Sequence, residues 1–321
     1  MVRRLLQSIG VVLPLVITGT AARAAWPERP IKLVVPYPPG GVSDALARQV
    51  AHMIEKDLGQ PIVVENKPGA GSNIGSEIVA KAKPDGYTIL LASSANVLNM
   101  YLYKSLPYNT FKDFQPVSLL ADAPNVLVVN SGFSAKNVQE LIALAKEKPD
   151  GVAYASAGYG SPAHLSAELF DLQAHVKMRH IPYKGAGPAM ADVMAGHVPV
   201  MFTNIAAVLP GVQAGKIRVL ATGGIARWKD FPQVPTVAES GLPGYEAGAW
   251  YGLALPAATP AEIAERLQKA LNAARGPAAK EEILKLGAIP VVSDAAALKA
   301  RIESERAQYE KLVKDADLKV E

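Results

Sequence analysis

Hydrophobic positions along the chain switch repeatedly between two spacings. The run "IKLVVPY" is short and almost wholly apolar, as buried strands are. The next segment, "DALARQVAHMIEKDL", has apolar side chains at helical spacing: Leu46, Val50, Met53, Ile54 and Leu58. The runs "PIVVEN" and "YTILLAS" follow, with the short helical pattern "SEIVAKA" between them. Strands that alternate with helices in this way predict an α/β fold with a largely parallel sheet.

The same alternation starts again near residue 120. The segment "NVLVVN" (125–130) is predicted to be a linking strand, after which strands and helices alternate as far as "IRVLATG". Two long amphipathic segments, "TPAEIAERLQKALNAARG" and "AALKARIESERAQYEKLVKDADL", end the chain. A chain of 321 residues exceeds the usual size of a single hydrophobic core, so we predict two lobes.

The first 24 residues have the features of an export signal. Arg3 and Arg4 precede the apolar stretch "IGVVLPLVITGTA", and the small-x-small sequence that ends at Ala24 fits a cleavage site. A membrane anchor is the alternative. The apolar stretch is shorter than the roughly 20 residues that span a bilayer, however, and Pro14 interrupts it. We therefore predict cleavage near Ala24 and a mature chain that is not inserted in the membrane.

Charge and residue content exclude several classes of protein. The formal net charge is +4, and removal of the signal lowers it to +1 because three arginines and no acids are lost. Nucleic-acid binding needs a concentrated basic face, which a near-neutral chain does not favour. The chain has no cysteine, so it has no disulfide and no lipid-anchored cysteine. Its five histidines form no i,i+4 pair or HExxH motif, so no metal site is predicted.

The loop "YPPGGVSD" after the first strand combines stiff and permissive residues. Prolines fix φ and remove hydrogen-bond donors, whereas Gly40 and Gly41 allow close approach to the main chain. Ser43 is predicted to be the N-cap of the next helix, and Asp44 suits the positive end of that helix. The loop is interpreted either as a well-made turn or as a cradle of backbone N–H groups that binds an anion.

A second loop, "YASAGYGSPAH", repeats this arrangement. Gly158 and Gly160 follow a strand, and Ser161 with Pro162 starts a helix. The GxSxG pattern of a serine hydrolase is absent, and His164 is badly placed to act as a base for Ser161. The loop is therefore a candidate for binding rather than for nucleophilic catalysis.

Two other segments contain residues of the kinds that bind ligands. "PGAGSNIG" has the spacing GxGxxxG, one residue longer than the dinucleotide-binding pattern, so no cofactor is predicted from it. In "IPYKG", Lys184 is either a solvated loop lysine or part of a cleft between the two loops.

The chain resembles the substrate-binding proteins of tripartite tricarboxylate transporters, the Bug family. The resemblance rests on "WPERPIKLVVPYPPGGVSDALAR", "GQPIVVENKPGAGSNIGSEIVAKAKPDGYTIL", "YASAGYGSPAHLSAELF" and "IPYKGAGPAMADVMAGHVPVMFTN". It implies a periplasmic protein with a two-lobed periplasmic-binding-protein fold (type II, Venus-flytrap) and a ligand cleft between the lobes. We expect the first lobe to comprise residues 25–123 and 250–321, and the second to comprise residues 124–249.

The resemblance also implies a set of ligand-binding residues. In the first lobe they are Tyr37, Pro39, Gly40, Ser43, Asp44, Ser93, Ser94 and Asn96. In the second lobe they are Ser156, Gly158, Gly160, Ser161, His164, Tyr183, Lys184, Thr203 and Asn204. Thr203 stands where the family pattern leads us to expect an acidic residue, which disfavours an amino-acid ligand.

The function implied is that of a solute-binding protein. We expect a monomer that captures a small carboxylate, closes around it and delivers it to inner-membrane transporter subunits. No cofactor, metal, nucleic acid or enzymatic activity is expected. The alternatives are a ligand-sensing receptor that uses the same fold for signalling, and an enzyme acting on a small acid. The sequence offers that enzyme neither a nucleophile–base pair nor a cofactor motif.

Overall fold

The computed structural model describes residues 26–229 and 231–315, so the predicted signal peptide at residues 1–24 lies outside the described residues. The strands are β1 (Ile31–Val35), β2 (Ile62–Asn66), β3 (Thr88–Ser93), β4 (Phe114–Asn130), β5 (Ala153–Ser156), β6 (Arg179–Pro182), β7 (Val200–Asn204), β8 (Ile217–Thr222), β9 (Gly248–Pro256) and β10 (Ile289–Pro290). The α-helices are α1 (Val42–Leu58), α2 (Asn73–Ala80), α3 (Ser94–Leu102), α4 (Thr110–Asp113), α5 (Val138–Glu147), α6 (Pro162–Ala174), α7 (Ala186–Ala195), α8 (Ile205–Gln213), α9 (Ala261–Ala270), α10 (Pro277–Lys285) and α11 (Ala295–Asp315).

The first lobe is built on β2, β1, β3, β9 and the first part of β4. β1 pairs in parallel with β2 and β3, and Leu33 lies opposite both Val64 and Ile89. Every residue of β1 except Lys32 is buried, which explains why the other four positions are apolar rather than alternating. The helical stripe of α1 packs on this sheet, with Leu46 and Val50 fully buried.

The second lobe is built on the second part of β4 together with β5, β6, β7 and β8. From Asn125 onwards β4 pairs antiparallel with β7 and β8 instead of β9. β5 lies between β7 and β6 and is parallel to both. The predicted linking strand at 125–130 is therefore only the end of a longer strand, which begins at Phe114 and crosses between the lobes.

The prediction of a largely parallel sheet was wrong for the middle of the molecule. β1 to β3 are parallel, as are β5 to β7, but β4, β8, β9 and β10 pair antiparallel with their neighbours. The chain crosses to the second lobe along β4 and returns along β9. These two adjacent crossing strands have opposite directions, so their pairing is antiparallel.

Candidate functional site

The loop between β1 and α1 is held in place by the Asp44 carboxylate. Asp44 Oδ2 accepts a hydrogen bond from the Gly40 N–H at 3.0 Å, and Oδ1 accepts one from Asn66 Nδ2 at 3.0 Å. Arg48 forms an ion pair with the same carboxylate at 2.9 Å. Burial by itself would raise the pKa of Asp44, but the hydrogen bonds from Arg48, Gly40 and Asn66 hold it below its usual value. The carboxylate is thus negative and satisfied inside its own loop.

The prediction that Ser43 is the N-cap of α1 was wrong. Helix α1 begins at Val42, and its N-cap is Gly41, in an extended conformation with φ −89° and ψ 175°. Ser43 lies buried in the first turn. Among the described residues, no side chain caps the start of α1. Its first N–H groups can therefore donate hydrogen bonds to an anion, and the positive end of its dipole can stabilise the negative charge.

The Tyr37 hydroxyl and Ser93 Oγ lie 2.6 Å apart, which connects the ends of β1 and β3. Ser93 caps α3 in a reciprocal box with Asn96, whose Oδ1 accepts from the Ser93 N–H at 2.9 Å. Asn96 Nδ2 donates to Ser76 Oγ at 2.7 Å, so its side chain is fully engaged in holding α2 and α3 together. Ser94 is buried beside them. Burial raises the pKa of Tyr37, so it remains a neutral phenol.

The segment "PGAGSNIG" contributes polar groups to this same edge of the first lobe. It starts α2 through a strained turn in which Ala70 and Ser72 have positive φ, at 46° and 84°. Asn73 Oδ1 accepts hydrogen bonds from Asn99 and from the Tyr108 hydroxyl. From the sequence, this segment shows only a glycine spacing that does not fit a nucleotide-binding motif. Its place at the end of parallel β2 was the signal that could have linked it to the loop after β1.

The turn after β5 is organised around Ser156. The Gly158 N–H donates to Ser156 Oγ at 3.0 Å, and that oxygen lies 2.6 Å from His180 Nε2. Gly158 and Gly160 adopt φ values of 119° and 71°, which only glycine accepts without strain. Ser161 is the N-cap of α6, as its position before Pro162 predicts.

Four aromatic and imidazole rings pack together next to this turn. Tyr154, His180 and His164 form a column, with ring centroids 4.9 and 4.2 Å apart, and Tyr159 stands edge-on to both histidines. Burial lowers the pKa of His164 to about 3, with a further contribution from His180, and burial lowers that of His180 to about 4. Both histidines are therefore uncharged near neutral pH, and neither offers a cation to a ligand.

His180 was not among the predicted site residues. It lies on β6, opposite Tyr154 on β5, and this parallel pairing brings it to Ser156. Sequence spacing between histidines could not reveal the contact with His164, because that contact depends on how α6 packs over the sheet.

The remaining predicted residues are spread along two strand ends. Tyr183 donates to Asp192 on α7 at 2.6 Å, and Lys184 next to it is exposed. Thr203 is buried in β7. Asn204 caps α8 and donates through Nδ2 to the Gly287 carbonyl at 2.7 Å, which joins the end of β7 to the turn before β10. Asn204 thus has its side chain committed to a contact between the two lobes.

Helix α3 connects the two candidate loops in space. Ser93, the partner of Tyr37, caps its first turn, and Leu102 ends it. A Cβ atom added to Gly160 would lie 3.5 Å from Leu102 Cδ1. The turn after β5 therefore packs beside the far end of the helix whose start contacts Tyr37. Within the described residues, no cluster of three or more histidines or acids is suited to a metal ion.

A cavity of about 220 Å³ lies elsewhere, where β4 and β9 cross between the lobes. Arg301 of α11 pairs there with Asp122 of β4 and with Glu246, which precedes β9. Glu305 accepts a hydrogen bond from Trp250 Nε1 at 2.7 Å, and burial raises its pKa to about 7. This cavity lies at the crossing strands and does not contain the loops after β1 and β5.

Residues 46–318 match the model of the tripartite tricarboxylate transporter family receptor. The chain belongs to this family. Among curated relatives, it is 38% identical to Protein BugT of Bordetella pertussis, over 99% of this chain and 98% of that protein. It is 37% identical to the UPF0065 protein in the tcbD-tcbE intergenic region of Pseudomonas sp. strain P51, over 97% of this chain and 93% of that protein. The resemblance inferred from the sequence is confirmed.

Solved structures similar to this chain confirm the two-lobed periplasmic-binding-protein fold. The R. palustris protein Rpa4515 with adipate is 34% identical with a TM-score of 0.83, covering 92% of this chain and all of that one. MatC from Rhodopseudomonas palustris with bound malate is 32% identical with a TM-score of 0.80, covering 90% of this chain and all of that one. The periplasmic binding protein BugD is 34% identical with a TM-score of 0.80, covering 92% of this chain and all of that one. In the part of this receptor that the structure describes, no helix has both the length and the apolar character to cross a membrane.

Proposed function

We propose that this receptor captures a small organic carboxylate in the periplasm and delivers it to the inner-membrane subunits of its transporter. The observation that carries the proposal is the uncapped start of α1, beside the Tyr37–Ser93 pair and joined through α3 to the turn at Ser156. The adipate and malate named with two structural relatives are acids of this class.

The ligand would be held mainly by neutral donors. The α1 N-terminus offers N–H groups and a partial positive charge, while Asp44 is neutralised within its loop by Arg48 and Asn66. Each dipole contact contributes only about 0.3–1 kcal/mol near a surface, whereas a micromolar complex needs about 8 kcal/mol. Donors from both lobes must therefore act together in a closed, water-excluding cleft. In this proposal the lobes divide at residues 123/124 and 249/250, where β4 and β9 cross.

The proposed ligand residues are those predicted from the sequence, with different roles. Asp44, Asn96 and Asn204 would shape the site because their side chains are engaged within the protein. Lys184 is exposed and remains a candidate for direct contact with an anion. The mature protein would begin near Ala25, act as a monomer and need no cofactor.

The alternative function is that of an enzyme, and one contact suggests a serine nucleophile with a histidine base. Ser156 Oγ lies 2.6 Å from His180 Nε2, the distance of a nucleophile and its base. Ser156 is fully buried, however, and its oxygen also interacts with the main chain of Gly158. In the described residues His180 Nδ1 has no hydrogen-bond partner to orient the ring, which a catalytic triad requires. We therefore assign Ser156 and His180 to the support of the binding loop.

A thermal-shift panel on residues 25–321 tests the proposal. The panel comprises adipate, malate, succinate, citrate, benzoate and nicotinate, with adipamide as an uncharged control for adipate. An acid at 100 times its dissociation constant should add about 2.7 kcal/mol to the free energy of unfolding and raise Tm by several degrees. Adipamide should give no shift. Equal shifts from adipate and adipamide, or no shift from any acid, would contradict carboxylate capture.

Two further measurements separate the alternatives. Small-angle scattering with the best acid should show a smaller radius of gyration, as hinge closure requires. Incubation of p-nitrophenyl acetate with the protein should release p-nitrophenol no faster than with Ser156→Ala. Ester cleavage that depends on Ser156 would support the enzyme instead.

A further inference from the structure

Tyr159 is an exposed aromatic residue in a turn whose other functional residues are enclosed. Its side chain is 65% exposed, while Ser156 and His164 on either side of it are buried. A single exposed aromatic residue is ordinary on a protein surface, so the packing around Tyr159 is what distinguishes it. Nothing in the sequence separates Tyr159 from other loop tyrosines.

The turn that carries Tyr159 lies close to neighbouring elements on both sides. Gly158 and Gly160 flank it with positive φ, and a Cβ atom at Gly158 would lie 3.2 Å from the Tyr183 carbonyl oxygen. On the other side, Gly160 packs near Leu102 of α3. The turn therefore lies close to the residue after β6 on one side and to the end of α3 on the other, and Tyr159 projects from it.

The ring itself is also supported. It stands at 83° to His180 with centroids 4.7 Å apart and at 75° to His164 with centroids 5.5 Å apart. Edge-to-face contacts of this kind are favourable and orient a ring. Within residues 26–229 and 231–315, the Tyr159 hydroxyl has no hydrogen-bond partner. The two ring contacts favour one orientation of the Tyr159 side chain.

The position in the sheet sets what this ring can touch. The strand order in the second lobe is β4, β7, β5 and β6, so the turn after β5 and the ring of His180 on β6 lie on the side away from the crossing strand β4. Donors at the start of α1 and in the turn would hold a carboxylate, whereas the uncharged rings suit the carbon body of the ligand.

We propose that Tyr159 is a specificity-determining residue that favours organic acids with an aromatic body, by packing its ring against the ring of the ligand. The inference rests on the proposed function, because it assigns a second part of the same ligand. It names aromatic carboxylates as the preferred class within the small acids.

Benzoate and cyclohexanecarboxylate test the inference because they share size and charge and differ in the ring. Isothermal titration should find benzoate bound about 2- to 12-fold more tightly by the wild type, the range that a single aromatic pair provides. Tyr159→Phe should keep this ratio. Tyr159→Leu, which keeps an apolar side chain but no ring, should bring the ratio to about 1 and change adipate affinity less than twofold.

Several results would overturn the inference. A benzoate preference that survives in Tyr159→Leu would show that another group selects the ring. Equal affinity of the wild type for the two cyclic acids, or binding of adipate alone, would overturn it while leaving carboxylate capture intact. If the wild type binds none of the three acids, the inference fails. The thermal-shift panel of acids then tests carboxylate capture independently of Tyr159. Because the side chain is largely exposed, all variants should melt within about 2 °C of the wild type.

Discussion

The imidazole rings of His164 and His180 stack 4.2 Å apart at an interplanar angle of 21°, although they belong to α6 and β6. Two protonated rings at this distance would repel each other, and burial already disfavours the charged form of each. The pair therefore places neutral rings beside the turn of Ser156. If the proposed carboxylate binds here, its charge must be met by backbone N–H groups and by Lys184.

The histidine pair should make the fold sensitive to acid. Both folded pKa values, about 3 and about 4, lie below the usual 6.5, so only the unfolded chain binds these protons between those limits. Their contribution to stability is complete above pH 6.5 and declines as pH falls. Between pH 6.5 and 4, the free energy of unfolding should fall less steeply in His180→Asn than in the wild type, by about 1.4 kcal/mol per pH unit. Urea unfolding at several pH values measures this, and an unchanged slope in the variant would contradict it.

Glu305 should have the opposite effect. Burial raises its folded pKa to about 7 from a usual 4.5, so between these values only the folded protein holds the proton. Its ionisation costs stability as pH rises through that window. Glu305→Gln keeps an acceptor for Trp250 and cannot ionise. Its stability relative to wild type should therefore rise by about 3 kcal/mol from pH 4.5 to pH 7.

The matched control for this prediction is Glu303→Gln, an exposed change on the same helix. It should alter the free energy of unfolding by less than about 0.5 kcal/mol. A pH-independent difference between Glu305→Gln and wild type would mean that the Glu305 carboxyl is not held in its neutral form.

Removing the charge of Asp44 should loosen the loop after β1. Asp44→Asn loses the ion pair with Arg48 and places an amide where the carboxylate accepted bonds from Gly40 and Asn66. We expect a loss of about 1–3 kcal/mol near neutral pH. Since the folded pKa of Asp44 is below its usual value, the difference from wild type should shrink as pH falls below about 4. Asp57→Asn, an exposed change on the same helix, should leave stability nearly unchanged.

The contact between Asn204 and Gly287 should tolerate no added side-chain atom. A Cβ atom at Gly287 would lie 2.5 Å from Asn204 Oδ1 and 2.9 Å from the Ala206 nitrogen, and φ is +71°. Gly59 has a similar φ of +74° but open space around it. Gly59→Ala should cost about 1 kcal/mol from backbone strain alone, and Gly287→Ala should cost about 1–3 kcal/mol more from crowding. Thermal unfolding measures both variants. Equal decreases in the free energy of unfolding of Gly59→Ala and Gly287→Ala would show that the turn before β10 relaxes to accommodate the added atom.

The sequence by itself determined the local elements and the broad function of this receptor. The apolar run of β1, the stripe that includes Leu46 and Val50, and the cap formed by Ser161 all depend on residues close together in the chain. Backbone periodicity and capping are local physics, so these features were predictable. The family motifs then supplied the fold and the expectation of a carboxylate ligand.

Only the tertiary structure decided which residues distant in the sequence contact each other around the candidate site. It joins Asp44 to Asn66, His164 to His180, and Asn204 to Gly287. It also extends β4 across both lobes and exposes Tyr159 among buried neighbours. No local pattern encodes such pairings, because they depend on which strands lie side by side and which helix faces pack over them. A side chain that a motif marks for the ligand can therefore be engaged entirely by the protein.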